Sequence, residues 1–280
     1  MQKIIFFDID GTLSDAAHGI PSSAIEAINT LKQNNHIVCI CTGRTRDTIQ
    51  EDILKMDFDG IIAGGGCHIE FKGEILLETY IPKEVLGEVI ELLNQYELSY
   101  SLEARNQVYM TKKMSEYLAE NVKRLRGTQN SELEKMMNER EKIKYEDTMS
   151  DFNLETDNIS KICFLTTHQE QVDQVCKSVK NHLQVISHYS KTQDIINAEI
   201  VRKGFNKGTA VKYLCEYLDV KLMQTIAFGD SMNDLDLFDA VAYSVAMEDA
   251  IDELKQRASI CCESVVNDGI YKQLKRMSLI

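Results

Sequence analysis

The chain has 280 residues, of which 44% are hydrophobic and 27% are charged, and its formal net charge is −13 at pH 7. This composition is that of a globular protein with one large domain or two ordinary ones. The negative charge argues against a general nucleic-acid binder and against a protein of anionic membrane surfaces. No stretch approaches 18 consecutive apolar residues, so we expect no transmembrane helix.

The cysteines and the N-terminal residues indicate the compartment. Eight cysteines are scattered along the chain, and Cys39, Cys41 and Cys163 lie inside apolar runs. They are predicted to be buried free thiols of a protein in the reducing cytoplasm. The first residues lead directly into an apolar strand without the layout of a secretory signal, which agrees with that location.

The first motif follows the first predicted strand. Ile4 to Phe7 are four consecutive apolar residues, which predict a fully buried strand. Asp8 and Asp10 come directly after it, followed by Gly11 and Thr12. Ligands bind open α/β sheets at the carboxyl ends of strands, and two close carboxylates repel each other unless a cation lies between them. The motif predicts a metal site, an acid/base pair, or both; a simple Asp-Gly turn is the alternative.

Strands and helices then alternate as far as residue 63. This βαβαβ order predicts a parallel sheet with helices on both faces. After three glycines, two short alternating stretches resemble a hairpin. The predicted elements are a helix at 22–34, a strand at 36–41, a helix at 46–55, a strand at 60–63 and hairpin strands at 67–71 and 74–80.

The pattern changes in residues 83–190. An amphipathic helix at 83–96 opens this section, and its later strands and helices do not alternate strictly, so we expect a separate α+β domain. The strongly charged run at 131–147 is predicted to be a helix with a solvent-exposed face.

The parallel pattern resumes after residue 190. It includes a strand at 194–200, a helix at 207–218 and a buried strand at 225–228. The simplest organisation is one sheet domain formed by residues 1–82 and 191–280, with residues 83–190 inserted into it.

Three further polar motifs follow strands or open a helix. A hydroxyl and backbone N–H groups after a strand can bind phosphate oxygens, a lysine supplies a point charge for the same anion, and acidic residues supply oxygen ligands for magnesium. Read singly, they could also be a strand-exit turn, a surface helix residue and a helix cap. The motifs are Thr42-Gly43-Arg44, Lys207 in the sequence GFNKG, and Asp230, Asn233 and Asp234 in the sequence GDSMND.

Together the four motifs resemble those of the haloacid dehalogenase superfamily. More narrowly, the chain looks like the Cof-like phosphatases, which carry an inserted α/β cap of type IIB. DIDGTL, CTGR, GFNKG and GDSMNDLDLF match in order and with suitable separations over essentially the whole chain. The resemblance implies an α/β fold, a Rossmann-like doubly wound parallel sheet core with an inserted α+β cap domain that sets substrate specificity.

The resemblance also implies residue roles. Asp8 would be the nucleophile that forms an aspartyl-phosphate, and Asp10 would protonate the leaving oxygen and then activate water. Lys207 would neutralise the phosphoryl group and hold Asp8. Mg²⁺ would be bound by the Asp8 side chain, the Asp10 backbone carbonyl and Asp230, with Asp234 as a further ligand or a supporting acid. The expected phosphate- and substrate-binding residues are Gly11, Thr12, Thr42, Gly43, Arg44, Lys207 and Asn233.

Some assignments stay open at this point. Arg44 could contact substrate or pair with a nearby carboxylate. Related chains often have Asn-Gly-Ala where this chain has Gly65-Gly66-Cys67, which leaves substrate contacts at that loop undefined. Asn267 lies in a sequence that resembles a loop bordering the site in this family, or it forms a simple turn.

The expected function is a Mg²⁺-dependent phosphatase for small phosphorylated metabolites, such as sugar phosphates or phosphorylated cofactors. A phosphomutase on the same core is the alternative, followed by a non-catalytic phosphate-binding regulatory protein. The expected partner is a small phosphorylated metabolite, with no nucleic acid and no membrane, and the chain is expected to be a monomer or homodimer.

Overall fold

The computed structural model describes residues 2–15, 17–126, 148–190 and 194–280, so the charged run predicted to be helical at 131–147 lies outside the described residues. The chain divides into two compact units. The first comprises Met1–Glu78 and Gly204–Ile280, and the second comprises Thr79–Lys203. Among the described residues, every helix is too short or too polar to span a bilayer.

The elements are numbered in chain order. The strands are β1 (Ile4–Phe7), β2 (Ile37–Cys41), β3 (Gly60–Ala63), β4 (His68–Phe71), β5 (Glu74–Glu78), β6 (Ser99–Ala104), β7 (Val108–Met110), β8 (Ile159–Thr166), β9 (Leu183–Ser190), β10 (Ile195–Arg202), β11 (Thr225–Gly229), β12 (Tyr243–Ala246) and β13 (Ile260–Cys261). The α-helices are α1 (Ser22–Gln33), α2 (Glu51–Leu54), α3 (Lys83–Gln95), α4 (Lys112–Arg126), α5 (Gln169–Val179), α6 (Lys207–Tyr217), α7 (Leu235–Ala240), α8 (Asp252–Arg257) and α9 (Gly269–Arg276).

The first unit is built on an eight-stranded sheet in the order β13-β12-β11-β1-β2-β3-β4-β5. The strands from β13 to β3 are parallel, and the predicted hairpin β4–β5 adds two antiparallel strands at one edge. The apolar strand β1 lies between β2 and β11, with Phe7 opposite Ile40 on one side and Phe228 on the other. The carboxyl ends of these three strands therefore meet at one edge.

Helices cover both faces of this sheet. Side chains of β1 alternate between two apolar layers: Ile5 and Phe7 pack in the layer that includes α1 and α9, and Ile4 and Phe6 pack in the layer that includes α6, α7 and α8. All four side chains are fully buried, because a central parallel strand has both faces covered. The predicted doubly wound core is confirmed.

The second unit contains a five-stranded antiparallel sheet in the order β7-β6-β8-β10-β9. One face packs its apolar side chains against α3 and α5. On β8, Ile162 and Phe164 belong to that core, whereas Lys161 and Cys163, which alternate with them along the strand, do not. This alternation is typical of an antiparallel sheet that buries one apolar face, and it confirms the predicted α+β class.

Two elements differ from the sequence prediction. The strand expected at 194–200 in the sheet core is β10, which pairs with β8 and β9 in the second unit, so the units divide after Glu78 and Lys203 rather than at 82 and 190. Its Ile196, Ala198 and Ile200 are buried while Asn197 is exposed, a one-sided pattern that suits an antiparallel sheet.

The helix expected at 46–55 is a 3-10 turn followed by the short helix α2. The chain is extended at the two residues between them, Ile49 and Gln50. The hydroxyl of Thr48 donates to the carbonyl of Thr45, and such a local bond competes with a continuous helix.

Candidate active site

The four sequence motifs come together at the carboxyl ends of β1, β2 and β11. Asp8 follows β1, and its backbone N–H donates to the carbonyl of Phe228 (3.1 Å), which ties the ends of β1 and β11 together. Thr42 follows β2, and its backbone N–H donates to the carbonyl of Ile62 in β3 (2.9 Å). Lys207 is the first residue of α6. The parallel register thus places residues distant in sequence at one edge of the sheet.

Lys207 is the centre of this group. Its side chain is only 1% exposed, and Nζ lies 2.6 Å from Asp8 Oδ1, 2.7 Å from Asp234 Oδ1 and 2.8 Å from Asn233 Oδ1. Burial alone would lower the pKa of Lys207, but the charges of Asp234 and Asp8 outweigh it and hold that pKa above its ordinary value. Lys207 is therefore a fixed cation with three acceptors.

A capping box fixes the start of α6. Asn206 Oδ1 accepts the backbone N–H of Thr209 (2.7 Å), and Thr209 Oγ1 accepts the backbone N–H of Asn206 (3.0 Å). Gly66 packs against this cap with φ +105°, and a Cβ there would lie 2.3 Å from the Asn206 carbonyl oxygen. Gly66 is thus required in the Gly65-Gly66-Cys67 loop, because any side chain at this position would collide with the Asn206 carbonyl. Sequence reasoning missed the cap, although Asn directly before a predicted helix is a preferred N-cap residue.

Asp234 joins Lys207 to the backbone of the loop after β11. Its side chain is fully buried, Oδ2 accepts the backbone N–H groups of Asp230 (3.0 Å) and Ser231 (3.1 Å), and Oδ1 pairs with Lys207. Gly229 leaves room for this carboxylate, since a Cβ there would lie 2.7 Å from Asp234 Cγ. Both oxygens of Asp234 therefore have partners within the protein.

Three carboxylates form a group suited to a cation. One oxygen each of Asp8, Asp230 and Asp234 lie within 4.8 Å of one another. Burial raises the pKa of Asp8 well above its ordinary value, and burial together with the charge of Asp234 raises the pKa of Asp230 to about 7. When ionised, three carboxylates against the single ammonium of Lys207 leave two excess negative charges (3 − 1 = 2). This excess and the oxygen donors fit a hard divalent cation.

Gly11 and Thr12 shape the pocket around Asp230. Gly11 has φ +83°, and a Cβ there would lie 2.4 Å from Asp230 Oδ2. Thr12 is fully buried, and its hydroxyl donates to Asp230 Oδ1 (3.1 Å). These contacts orient Asp230, so in this structure the two residues predicted to bind phosphate support an acidic side chain.

The Thr42-Gly43 turn lies beside Asn233. A Cβ on Gly43 would approach Asn233 Nδ2 to 3.1 Å. Asn233 Oδ1 accepts from Lys207 and from the Ser231 hydroxyl (3.1 Å). The turn is thus close to the cationic centre, as its predicted role in phosphate binding requires.

Arg44 reaches Asp10. Its Nε donates to Asp10 Oδ2 (2.7 Å), and Nη2 donates to Asp10 Oδ1 (2.5 Å). Of the two options that the sequence left open, the structure shows the ion pair with a carboxylate. Asn267 lies in a turn of its own, with Nδ2 donating to Ser264 Oγ (2.9 Å).

Comparison with known proteins agrees with this geometry. Residues 5–274 match the family model of haloacid dehalogenase-like hydrolases. The chain is 29% identical to a putative phosphatase of Mycoplasma pneumoniae (98% of this chain, 96% of the relative) and 24% identical to the 5-amino-6-(5-phospho-D-ribitylamino)uracil phosphatase YwtE of Bacillus subtilis (96% of each). The structure of the phosphatase BT1666 from Bacteroides thetaiotaomicron superposes with a TM-score of 0.81 at 23% identity, covering 100% of this chain and 96% of that one.

These matches confirm the predicted superfamily, the Cof-like subgroup and the enzyme class, a hydrolase of phosphoric monoesters. A sugar phosphatase of subclass IIB is also among the structural neighbours, with a TM-score of 0.77 over the whole of both chains. Because the family model spans almost the entire chain, the chain belongs to the haloacid dehalogenase-like hydrolase family.

Proposed function

We propose that this hydrolase is a Mg²⁺-dependent phosphatase that cleaves phosphomonoesters of small metabolites through an aspartyl-phosphate on Asp8. The observation that carries the proposal is the contact of Lys207 with both Asp8 and Asp234 at the sheet edge where Asp230 completes an acidic group. A carboxylate held by a buried cation beside excess negative charge suits phosphoryl transfer, in which positioning and charge stabilisation supply most of the catalysis.

In the first step, an Asp8 oxygen attacks phosphorus. The bond between Asp8 and phosphorus forms while the bond from phosphorus to the leaving oxygen breaks, and Asp10 gives its proton to that oxygen. Lys207 holds the attacking carboxylate and offsets charge on the transferring group. We assign Thr42, Gly43 and Asn233 as donors to the phosphate oxygens, which their proximity to Lys207 supports.

In the second step, water attacks the same phosphorus. Asp10, now ionised, takes a proton from this water, and the bond between Asp8 and phosphorus breaks to release inorganic phosphate. Asp10 ends protonated and Asp8 ends ionised, so both residues return to their starting states.

The acidic group would hold the metal. We assign the Asp8 side chain, Asp230 and the Asp10 backbone carbonyl as its protein ligands, and we assign Asp234 a supporting role because both its oxygens already have partners. When bound, Mg²⁺ would neutralise charge on the phosphate oxygens and orient the phosphoryl group.

The relatives guide the choice of substrate class. Besides YwtE, they include an HMP-PP phosphatase of Serratia proteamaculans at 25% identity over 91% of this chain. We therefore propose a small phosphorylated metabolite as substrate, with the second unit acting as the specificity cap. A cytoplasmic location and a monomeric or homodimeric state remain part of this proposal.

The test is phosphate release from a panel of phosphorylated metabolites, with Mg²⁺ and with chelator, by the wild type, Asp8→Asn and a matched Asp252→Asn control at the exposed start of α8. We expect Mg²⁺-dependent release by the wild type and the control, and a loss of about 10⁴-fold or more in Asp8→Asn, as when other enzymes lose a nucleophile. Folded wild type that binds Mg²⁺ but releases no phosphate from any compound would contradict the proposal.

A further inference from the structure

We propose that the glycine loop, Gly64–Gly66, is a positioning element of the candidate active site, because its backbone N–H groups fix the peptide that carries the Gly43 N–H. This inference rests on the proposed function, in which Gly43 is assigned as a donor to the phosphate oxygens, and it deepens that function. It gives a role to a loop whose substrate contacts the sequence left undefined, and the role needs no contact between the loop and the substrate.

Two hydrogen bonds join the glycine loop to the turn that follows β2. The N–H of Gly65 donates to the Thr42 carbonyl (3.0 Å), and the N–H of Gly64 donates to the Arg44 carbonyl (2.6 Å). The N–H of Arg44 also donates to Thr42 Oγ1 (3.1 Å), which closes the turn on itself. Since Thr42 and Arg44 flank Gly43, the loop holds the backbone on both sides of the assigned donor.

The bond from Gly65 sets the direction of the Gly43 N–H. The Thr42 carbonyl and the Gly43 N–H belong to one planar trans peptide, in which these two groups point in opposite directions. Because Gly65 holds the carbonyl on one side, the N–H points to the other side. A donor whose direction is fixed before substrate binds needs no reorganisation when negative charge develops on the phosphate oxygens.

The path of the loop requires its three glycines. The backbone φ is +60° at Gly64, +64° at Gly65 and +105° at Gly66. Residues with a Cβ rarely adopt positive φ, whereas glycine does so without a steric cost. Three successive glycines therefore let the chain turn back, so that two neighbouring N–H groups reach two carbonyls of the same turn.

The loop also contacts the helix that carries the cation. Gly66 packs against the carbonyl of Asn206, which is the N-cap residue of α6, and Lys207 is the next residue. One short loop thus contacts both the turn assigned to phosphate binding and the start of the helix that bears Lys207. We infer that it holds the Gly43 donor and the cation in one fixed arrangement.

Gly65 is suited to a substitution that alters the backbone alone. Beyond its chain neighbours, a Cβ at Gly65 would have no heavy atom within 4 Å, so alanine there adds backbone strain without a collision. Gly73, in the turn between β4 and β5, is the matched control, because it has φ +81° and equally open surroundings. Eight described residues other than glycine already have positive φ, so we expect variants at both positions to fold.

The test measures kcat/KM on the best substrate of the panel and inhibition by orthovanadate, whose five-coordinate adducts resemble the transition state of phosphoryl transfer. We expect Gly65→Ala to lose about tenfold in both quantities, because a misdirected donor should cost less than the 10²- to 10³-fold that follows removal of one. Gly73→Ala should match the wild type in both. Equal losses in Gly65→Ala and Gly73→Ala would overturn the inference.

A second variant, Gly65→Asn, separates a backbone effect from blocking of the site. Asparagine adopts positive φ more readily than alanine, so Gly65→Asn should retain most of the wild-type affinity for orthovanadate. If a side chain at Gly65 acted by filling space, the larger asparagine would cause the greater loss. A loss in Gly65→Asn that equals or exceeds the loss in Gly65→Ala would therefore overturn the inference.

A direct readout follows the Gly43 amide by NMR. Labelling with ¹⁵N-glycine restricts the spectrum to the 14 glycines of the chain, and the signal missing from Gly43→Ala identifies that of Gly43. Inorganic phosphate with Mg²⁺ should shift this signal in the wild type and in Gly73→Ala, and should shift it much less in Gly65→Ala. An undiminished shift in Gly65→Ala would overturn the inference.

The same experiments separate failure of this inference from failure of the proposed function. A wild type that cleaves substrate while its Gly43 signal does not respond to phosphate would overturn the inference alone. A folded wild type that releases no phosphate from any compound would contradict the proposed function itself. Thermal melts with and without Mg²⁺ check that each variant is folded and still gains stability from the metal, since the substitutions leave the acidic group intact.

Discussion

Each unit of the molecule buries a lysine between two carboxylates, yet only one of these clusters has the features of an active site. Burial alone would lower both lysine pKa values, but neighbouring groups outweigh it and hold both above the ordinary value, so the pKa does not separate them. The carboxylate partners are Asp8 and Asp234 for Lys207, at 2.6 and 2.7 Å, and Glu103 and Glu199 for Lys161, at 3.2 and 3.3 Å.

The two clusters differ in net charge and in their position in the sheet. Asp230 adds a third carboxylate beside Lys207, whereas the thiol of Cys163 donates to Glu103 in the Lys161 cluster (3.0 Å). The Lys207 cluster lies at the carboxyl ends of parallel strands, and the Lys161 cluster lies on strands of an antiparallel sheet. A buried ion pair is therefore weak evidence for a site until excess charge and strand-end placement accompany it.

The sharpest test of this contrast replaces each lysine with methionine. If Lys207 acts as proposed, Lys207→Met should lower the rate of phosphate release by about 1,000-fold, because the proposed site loses its preorganised cation. Lys161→Met should keep the rate per folded molecule within a few-fold, but lose about 3 kcal/mol of unfolding free energy because two partly buried carboxylates lose their buried cation. Phosphate release at low temperature and urea unfolding measure the two effects. Equal losses of activity in Lys207→Met and Lys161→Met would contradict the conclusion that only the Lys207 cluster has the features of an active site.

The next test uses Mg²⁺ and pH. The folded pKa of Asp230, about 7, exceeds its unfolded value of about 3.9, so the metal-free native state binds more protons between these values and loses stability as pH rises through them. Mg²⁺ requires the ionised form, so it should raise the Tm more at pH 8 than at pH 5.

Thermal melts in Mg²⁺ and in EDTA measure this difference. Asp230→Asn should flatten the response to Mg²⁺, and Glu199→Gln, in the Lys161 cluster, should retain the wild-type response. A rise in Tm that is equal at both pH values, or that survives Asp230→Asn, would contradict the assigned metal group.

The smallest expected effect concerns helix starts. Asn206→Ala removes the cap of α6 and should lower the unfolding free energy by about 1 kcal/mol, with a several-fold loss of rate because Lys207 is the next residue. His168→Ala is the matched control in the second unit, because His168 precedes α5 without a side-chain cap bond. Urea unfolding and phosphate-release assays of both variants check this, and an equal effect of the two would show that the capping box has no special role.

Sequence reasoning predicted the fold best where one physical signal dominates. The predicted bounds of β1 and β3 agree with the structure at every residue. A run of apolar residues is enough to predict such strands, because both faces of a central strand are buried. The one-sided pattern of β10 was assigned to the wrong sheet, since alternation shows that one face is buried but not which sheet buries it. The Lys161 cluster was not predicted, because its residues come from three strands that only the antiparallel register aligns.

Within the site, the sequence predicted which residues would lie close together but not which hydrogen-bond partners each side chain would have. Strand ends brought Asp8, Thr42 and Asp230 together as expected. That Arg44 would face Asp10, and that the Thr12 hydroxyl would donate to Asp230, depend on side-chain directions in loops, which residue types and spacing do not determine. Roles such as nucleophile and acid remain predictions for the experiments above.

The split of the first unit across the chain has a consequence for biosynthesis. Asp8 and Lys207 are 199 positions apart, and β1 cannot pair with β11 until residues 225–229 have been synthesised. At 5–20 residues per second, the apolar β1 waits roughly 10 to 40 s on the ribosome for this neighbour. The second unit is one continuous stretch, Thr79–Lys203, and can complete its sheet during that delay. Nascent chains of this protein therefore have a long interval in which a chaperone could shield β1 and in which Asp8 has no lysine partner.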